Sequence, residues 1–182
     1  MKKFEEKTIA SNLKYSGRVI TLQVDEVLLP NGKTSNREIV KHPGAVAIIA
    51  ITEDNKIILV EQYRKALERS IIEIPAGKIE SGELPEVTAR RELEEETGYT
   101  TKNLQYIQTF ATSPGFADEI IHLYFAKNIE KMTEKASLDE DEFVELMYVS
   151  IEEMKTLIEE NRIYDAKTAF AYLWLKDYLK EA

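Results

Sequence analysis

The first 42 residues alternate apolar and polar positions in short runs, as strands with one buried face do. The run "VITLQVDEVLLP" alternates in part, "PNGK" is a turn signal, and "TSNREIVKH" resumes the pattern. These features predict a β-rich front section over residues 1–42. The breaker "HPG" then separates it from residues 43–182, which we predict to form the main domain.

From residue 43 onward the apolar runs become longer and less interrupted. The runs "AVAIIAI", "KIILVEQY" and "SIIEIPAG" predict three buried strands, the last of which stops at Pro75. A helix is predicted between Pro85, a residue favoured in the first turn, and Gly98, a residue favoured just past the end. The runs "NLQYIQTFATS", "EIIHLYFAKNI" and "FVELMYVS" predict three further strands, with a polar loop over "EKMTEKASLDEDE".

Two helices close the chain. Ser150 with Glu153 three residues later matches the capping box that begins many helices, and Asp165 is placed as the N-cap of the last helix. Strands, one helix, strands and two helices in this order predict an α+β fold. We expect an α/β/α sandwich with a mixed sheet, preceded by the small N-terminal β-section.

Composition excludes several classes of function. The chain has 182 residues, a net charge of −9, no cysteine and two histidines. The charge argues against nucleic-acid and membrane-surface binders, which need basic patches, so an anionic substrate would require placed arginines or a bound cation. Thiol chemistry and histidine-rich zinc sites are excluded as well. No run has the length and apolarity of a signal peptide or a membrane span, so we expect a cytoplasmic protein.

The segment "RRELEEETG" places four glutamates within five positions, where like charges on a helix repel each other. At about 100° per residue, Glu92, Glu95 and Glu96 share one helix face, whereas Glu94 points away toward solvent. Ala89 with Leu93 and Thr97 forms the neighbouring apolar stripe. The acidic face is either an ordinary solvated surface or a site for a hard divalent cation, since clustered carboxylates suit such ions.

The spacing around the glutamates favours the cation site. Five residues separate Gly77 from Glu83, seven more separate Glu83 from Arg91, and "RELEEETGY" follows. This pattern resembles the Nudix box, G-x5-E-x7-R-E-U-x-E-E-x-G-U, in which U is a bulky apolar residue. The matching positions are Gly77, Glu83, Arg91, Glu92, Leu93, Glu95, Glu96 and Gly98. Tyr99 replaces the usual aliphatic residue at the last position.

The resemblance implies a hydrolase of nucleoside diphosphates linked to another group, with a divalent cation as cofactor. The cofactor is expected to be Mg²⁺, with Mn²⁺ as an alternative. The metal ligands carried over from the family are Glu92 and Glu96, with Glu95 and the main-chain carbonyl of Ala76 as further ligands. Arg91 would orient one of these carboxylates, and Glu83 would brace the loop against the helix. Gly77 and Gly98 are structural positions of the box.

Residues outside the box resemble the ADP-ribose pyrophosphatase branch of this family. The branch is indicated by Pro114 and Gly115 in "SPG", by the front section, and by "VEQYRKA" and "EIPAG". It implies hydrolysis of ADP-ribose to AMP and ribose 5-phosphate, with Arg37 and Arg64 placed on phosphates or on the terminal ribose. A plain turn explains Pro114 equally, and structural ion pairs would explain the two arginines.

The catalytic base is expected in the acidic loop "SLDEDEF", at Glu140, with Glu142 as the alternative or as an extra metal ligand. The branch also implies a homodimer built through the front β-section. Two other functions stay open. One is hydrolysis of another nucleoside diphosphate sugar or a dinucleotide. The other is a non-catalytic nucleotide-binding module, for which the intact set Glu92, Glu95 and Glu96 has no chemical purpose.

Overall fold

The computed structural model describes residues 3–134 and 143–181. By their contacts the residues form two compact units. The first unit is Met1–Gly44 with Phe110–Ile121, and the second is Ala45–Thr109 with His122–Ala182. The predicted domains, 1–42 and 43–182, stay a prediction, because the contacts within one chain do not show whether the first unit folds alone.

The first unit contains an antiparallel sheet of three strands in the order β1–β2–β3. The strands are β1 (Lys7–Ser16), β2 (Thr21–Leu28) and β3 (Thr34–Lys41). The turn predicted at "PNGK" joins β2 to β3, and Gly32 adopts a positive φ of 82° there, which glycine tolerates without strain. The end of β3 also holds the segment 112–119, since Val40 N donates to Phe116 O and Asp118 N donates to Val40 O.

A seven-stranded sheet follows along the chain, in the order β12–β5–β4–β10–β9, with β6 paired to β5 and β7 to β4. A pair of two-residue strands, β8 and β11, forms a separate ladder. The strands are β4 (Ala45–Ile51), β5 (Ile57–Arg64), β6 (Arg69–Glu73), β7 (Ala76–Lys78), β8 (Tyr99–Thr100), β9 (Asn103–Ala111), β10 (Ile120–Lys127), β11 (Glu130–Lys131) and β12 (Val144–Val149).

The three α-helices in the described part of the chain begin where their capping signals predict. They are α1 (Pro85–Glu92), continued by a π-helical turn (Leu93–Thr97), α2 (Ile151–Glu159) and α3 (Ala166–Glu181). The capping box is formed, because Ser150 Oγ accepts from Glu153 N at 3.1 Å and the Glu153 carboxylate accepts from Ser150 N at 2.6 Å. Asp165 Oδ1 caps α3 by accepting from Thr168 N at 3.1 Å.

Alternate residues of β10 show that helices cover both faces of the large sheet. Tyr124 and Ala126 belong to a buried cluster with Ala89 and Leu93, so α1 lies on that face. Phe125 points the other way and meets two aromatic side chains of α3, Trp174 and Tyr178, at ring-centroid distances of 4.9 and 5.0 Å. The predicted α+β class and its α/β/α layers are therefore confirmed.

Sequence patterns missed the shortest strands. Ala76–Lys78 pairs with β4, although "PAG" was expected only to end a strand. Glu130 and Lys131 pair with Thr100 and Tyr99, so the predicted polar loop begins later than expected. Two-residue ladders carry no periodicity that a sequence could show. Among the described residues, no helix combines the length and apolarity needed to cross a membrane.

Candidate active site

We call residues 90–98, "RRELEEETG", the acidic segment. The guanidinium of Arg91, in the last turn of α1, binds two carboxylates of this segment and the carboxylate of Glu83. Its Nη1 donates to Glu92 Oε1 at 2.8 Å and to Glu95 Oε2 at 2.9 Å. Its Nε and Nη2 donate to the two carboxylate oxygens of Glu83, at 3.1 and 3.0 Å. Nη2 also reaches Lys78 O at 3.3 Å. One cation therefore joins three carboxylates and the strand β7, and it relieves the repulsion that the sequence pattern predicts.

The bidentate pair with Arg91 is strong enough to shift the ionisation of Glu83. Hydrogen bonds from Arg91, and a further one from Thr88 Oγ1 at 2.8 Å, outweigh the effect of burial and lower the pKa of Glu83 from 4.5 to about 2. The same hydrogen bonds, which Arg91 donates to Glu83, are the largest cause that raises the pKa of Arg91. The pair stays ionised throughout the physiological range of pH.

Two buried carboxylates face the first two residues of β7, Ala76 and Gly77. Glu96 Oε2 accepts from Ala76 N at 3.0 Å, and a Cβ built on Gly77 would overlap the carboxylate of Glu92. Glycine is therefore required at position 77, since any side chain would displace Glu92. Glu92 is 7% exposed and Glu96 2% exposed. Three of the four predicted metal-binding positions thus lie beside one another, although α1 and β7 are separate elements.

The helix does not keep α-helical geometry to its end, which corrects the prediction for Glu94. Residues Leu93–Thr97 form a π-helical turn that ends at Gly98, whose φ is 71°. Glu94 was expected to be a solvated bystander. It is half-buried, and its Oε1 accepts from Thr100 Oγ1 at 2.6 Å. The estimate of 100° per residue fails here because a π turn is wider than an α turn.

The oxygen atoms around Ala76 and Gly77 are of the chemical type that binds a hard divalent cation. Three carboxylates (Glu83, Glu92 and Glu95) bind one guanidinium, and the Glu96 carboxylate lies at Ala76 N, so negative charge is in excess. Carboxylate and carbonyl oxygens are the ligands that Mg²⁺ prefers. In residues 3–134 and 143–181, however, no three acidic or histidine side chains are arranged as a ready metal site. Arg91 and Ala76 N each donate to carboxylate oxygens that a cation would need. The metal-binding role of these residues therefore stays a prediction.

The two arginines predicted to bind substrate are both held by carboxylates. In the first unit, Arg37 makes a bidentate pair with Glu6, at 2.8 and 2.6 Å. In the second unit, Arg64 Nε and Nη2 donate to the two oxygens of Glu73, at 2.6 and 3.1 Å. Ion pairs were the alternative explanation for both residues, and the structure contains those pairs. A substrate role is compatible with them and stays a prediction.

The buried residues around Glu73 were missed by sequence reasoning. Glu73 also pairs with Lys167, whose Nζ donates to Asp165 Oδ1 at 3.0 Å. Thr168 Oγ1 accepts from Ile74 N at 3.0 Å. One signal was present: a charged residue inside the apolar run "SIIEI" must find a partner when its strand is buried. The identity of that partner, 94 residues away, has no local signal.

Pro114 and Gly115, which were predicted to bind substrate, belong to the first unit, whereas the clustered glutamates belong to the second. Pro114 and Gly115 are exposed in a turn of the first unit, where Phe116 N and Ala117 N both donate to Ser113 O. A turn is thus what the structure contains at "SPG", and its substrate role stays a prediction. Glu140 and Glu142 lie outside the described residues.

Comparison with known proteins decides the family. The model of the NUDIX domain matches residues 41–170, which is more than half of the chain. The chain belongs to the NUDIX family. An ADP-ribose pyrophosphatase of Bacillus subtilis is 60% identical over 182 residues, covering 99% of this chain and 98% of that protein. A methanol dehydrogenase activator of Bacillus methanolicus is 62% identical over 181 residues, 98% of each. The predicted NUDIX hydrolase is confirmed by these matches.

A solved structure supports the fold independently. The crystal structure of an ADP compounds hydrolase superposes with a TM-score of 0.84 and covers 97% of this chain and 95% of that one. Its sequence is 21% identical, so this likeness concerns the fold alone. The predicted NUDIX fold with an additional N-terminal sheet is confirmed.

We expect Glu83→Gln to lower the stability of the protein in a pH-dependent manner. The folded pKa of about 2 lies below the ordinary 4.5, so the pair stabilises the protein above pH 4.5 and this contribution disappears as the pH falls toward 2. After allowance for screening by solvent, the loss at pH 7 should be about 1 kcal/mol. Urea unfolding in EDTA at several pH values measures it.

The control is Glu159→Gln, which removes the exposed pair of Glu159 with Lys155 and should leave the unfolding free energy unchanged. A constant difference between wild type and Glu83→Gln from pH 7 to pH 2 would contradict the assignment of the ionised pair.

Proposed function

We propose that the protein hydrolyses the pyrophosphate bond of ADP-ribose, with a divalent cation, to give AMP and ribose 5-phosphate. The observation that carries this proposal is the position of two buried carboxylates, Glu92 and Glu96, against the main chain of Ala76 and Gly77. The full-length identity of 60% to an ADP-ribose pyrophosphatase supports the choice of substrate. The geometry supports the chemistry, and the relative supports the specificity.

The residues that would hold the cation are Glu92, Glu95, Glu96 and the carbonyl of Ala76, with Mg²⁺ as the expected ion and Mn²⁺ as the alternative. When bound, the cation neutralises pyrophosphate charge and supplies an activated water. Arg91 orients Glu92 and Glu95, because its Nη1 lies between one oxygen of each. Glu83 fixes Arg91 in turn through two hydrogen bonds. These two residues act on the ligands and need no contact with substrate.

The arginines supply directed positive charge in an acidic protein. A guanidinium held by a carboxylate through two of its nitrogens keeps its remaining N–H donors in a fixed direction, which suits phosphate oxygens. Arg37 Nη1 already donates to Ser35 Oγ at 3.1 Å and to Asn36 O at 3.0 Å, so its remaining donor is on Nη2. We therefore assign Arg37 and Arg64 to the substrate's phosphates or terminal ribose. Pro114 and Gly115 are assigned to the substrate site as a turn that lets the main chain approach the ligand.

The base that accepts the proton of the attacking water is assigned to Glu140, with Glu142 as the alternative. The helical glutamates are poor candidates because Glu92 and Glu95 already bind Arg91, and Glu96 already binds Ala76 N. A carboxylate from a separate segment can accept the proton without giving up a metal ligand.

The proposal includes a homodimer in the cytoplasm. All ten residues of β1 are exposed, among them Ile9, Leu13 and Tyr15. An edge strand that exposes several large apolar side chains offers a surface on which another chain can pack. Light scattering should give twice the monomer mass, and a monomer with full activity at dilution would contradict a shared site.

The function is tested by product analysis with a substrate panel. We expect hydrolysis of ADP-ribose to exceed, in kcat/KM, that of other nucleoside diphosphate sugars and of dinucleotides, and to stop in EDTA. Hydrolysis in ¹⁸O-water shows which phosphorus is attacked, because the label enters either AMP or ribose 5-phosphate. If another nucleotide sugar has a higher kcat/KM, that compound and not ADP-ribose is the preferred substrate. If no compound of the panel is hydrolysed, the result favours a non-catalytic nucleotide-binding module.

Glu96→Gln should lower turnover by roughly a hundredfold or more, because it removes the charge of a metal ligand. The amide oxygen can still accept from Ala76 N, so the fold should be retained. Measurements at saturating Mg²⁺ decide, and near-normal turnover would remove the metal assignment. The matched control is Glu94→Gln, for which we expect turnover within about twofold of wild type, because the Glu94 carboxylate accepts from Thr100 Oγ1 and not from a residue predicted to bind the metal.

Glu140→Gln and Glu142→Gln, made separately, should give one large and one small loss of turnover. The larger loss identifies the base, and we expect it at Glu140, by about a hundredfold. Binding of Mn²⁺, followed by its electron paramagnetic resonance signal, should be unchanged in that variant. Two mild losses would remove the base from this segment.

A second function is raised by the relative from Bacillus methanolicus, which carries the name of a methanol dehydrogenase activator. Its identity of 62% is close to the 60% of the pyrophosphatase, so identity does not separate the two. Adding the protein to a methanol dehydrogenase assay tests this function. Stimulation lost in Glu96→Gln would join it to the hydrolase site.

A further inference from the structure

The beginning of α3 is bound to the strand segment that leads into the candidate site. Thr168 Oγ1 accepts from Ile74 N at 3.0 Å, and Lys167 Nζ pairs with the Glu73 carboxylate. Two residues farther on, Ala76 N donates to Glu96. The segment 73–77 is therefore held by α3 at its first residues and by the helical glutamates at its last ones.

Glu73 is a buried carboxylate between two cations. Its side chain is 3% exposed, and it binds Arg64 through both oxygens while Lys167 approaches Oε2. Lys167 is itself fixed by Asp165 Oδ1 at 3.0 Å, with 10% of its side chain exposed. Asp165 Oδ2 is buried and makes no hydrogen bond with any described residue. Buried ion pairs of this kind add little stability compared with apolar residues of similar volume, so stability alone is a weak reason for the arrangement.

Arg64 is the most exposed of these four charged residues, with 39% of its side chain accessible to solvent. Glu73 occupies Nε and Nη2, and Nη1 makes no hydrogen bond with residues of the described part of the chain. Burial opposes the charge on Arg64, but the bonds and charge of Glu73 outweigh it and raise the pKa of the guanidinium. The charge of Glu96 contributes to the same rise, and β5 packs against the π-helical turn that carries Glu96. Arg64 thus presents open donors next to the acidic segment.

We propose that Lys167 and Glu73 are positioning residues that hold Arg64 in the orientation needed to bind a phosphate group of the substrate. Lys167 fixes the Glu73 carboxylate, and Glu73 fixes the guanidinium plane, so that Nη1 stays directed outward. The proposal deepens the proposed function and rests on it. Neither positioning residue needs to touch the substrate.

The test is a kinetic cycle with Lys167→Met, which keeps the length of the side chain and removes its charge. We expect KM for ADP-ribose to rise about tenfold with kcat nearly unchanged, because loss of binding common to ground and transition states appears in KM alone. Arg64→Ala should raise KM at least as much. In the Arg64→Ala background, Lys167→Met should change KM by less than about twofold, since its effect passes through Arg64.

Lys155→Met is the matched control, because Lys155 makes an exposed ion pair on α2 and should leave KM unchanged. Asp165→Asn is the second variant, for use where Lys167→Met does not fold. Asparagine caps a helix as well as aspartate does, so this change weakens the hold on Lys167 and keeps the cap. We expect Asp165→Asn to raise KM about threefold. The conservative variant Lys167→Arg keeps the positive charge, so its KM should lie within about twofold of the wild-type value.

Three outcomes overturn the proposal: an unchanged KM in Lys167→Met, a fall in kcat with KM unchanged, and a full rise of KM in the Arg64→Ala background. The second outcome would mean that Lys167 acts on the main chain of residues 76–77, at the proposed metal site, and not on Arg64. These results are read with a substrate that the wild-type enzyme hydrolyses. Failure of the proposed function gives a different result: the wild-type enzyme would prefer another substrate or would hydrolyse none.

Discussion

The acidic segment of this protein depends on one guanidinium. Arg91 binds Glu83, Glu92 and Glu95 together, and without it these three carboxylates would repel each other in partly buried surroundings. The same residue ties the helix to β7 through Lys78 O. Arg91 therefore performs two tasks: it makes the crowded glutamates compatible with folding, and it fixes the direction of two carboxylates that a cation could use.

The segment 73–77 converts this local arrangement into a site. Its successive residues face α3, where Thr168 and Lys167 hold Ile74 and Glu73, and then the glutamate helix, where Glu96 holds Ala76 N. Pro75 O accepts from Ile48 N at 2.8 Å and joins the segment to β4. A strand held from three sides has little freedom to move, which is what a hydrolase needs from the main chain that faces its ligands.

Local signals predicted what local physics controls. The start of α1 at Pro85, the end of the following π turn at Gly98, the capping box of α2 and the buried stripe with Ala89 and Leu93 follow from residues within a few positions of each other. The contacts of Glu73 and Arg37 could not be predicted, since their partners are 94 and 31 residues away and a charge pattern does not specify a long-range partner. The π turn was missed because its sequence is an ordinary helical one, and Glu94 was misplaced for that reason.

Charge explains how an acidic protein can take an anionic substrate. The net charge is −9, and both candidate substrate arginines, Arg37 and Arg64, are already neutralised by a carboxylate. Long-range attraction for a pyrophosphate is therefore weak, and the proposed function requires that affinity come from short directed hydrogen bonds and from the proposed cation at the glutamates. If the proposed cation supplies the positive charge that a pyrophosphate needs, removing it should weaken substrate binding as well as the chemical step, so that binding and catalysis share one electrostatic requirement.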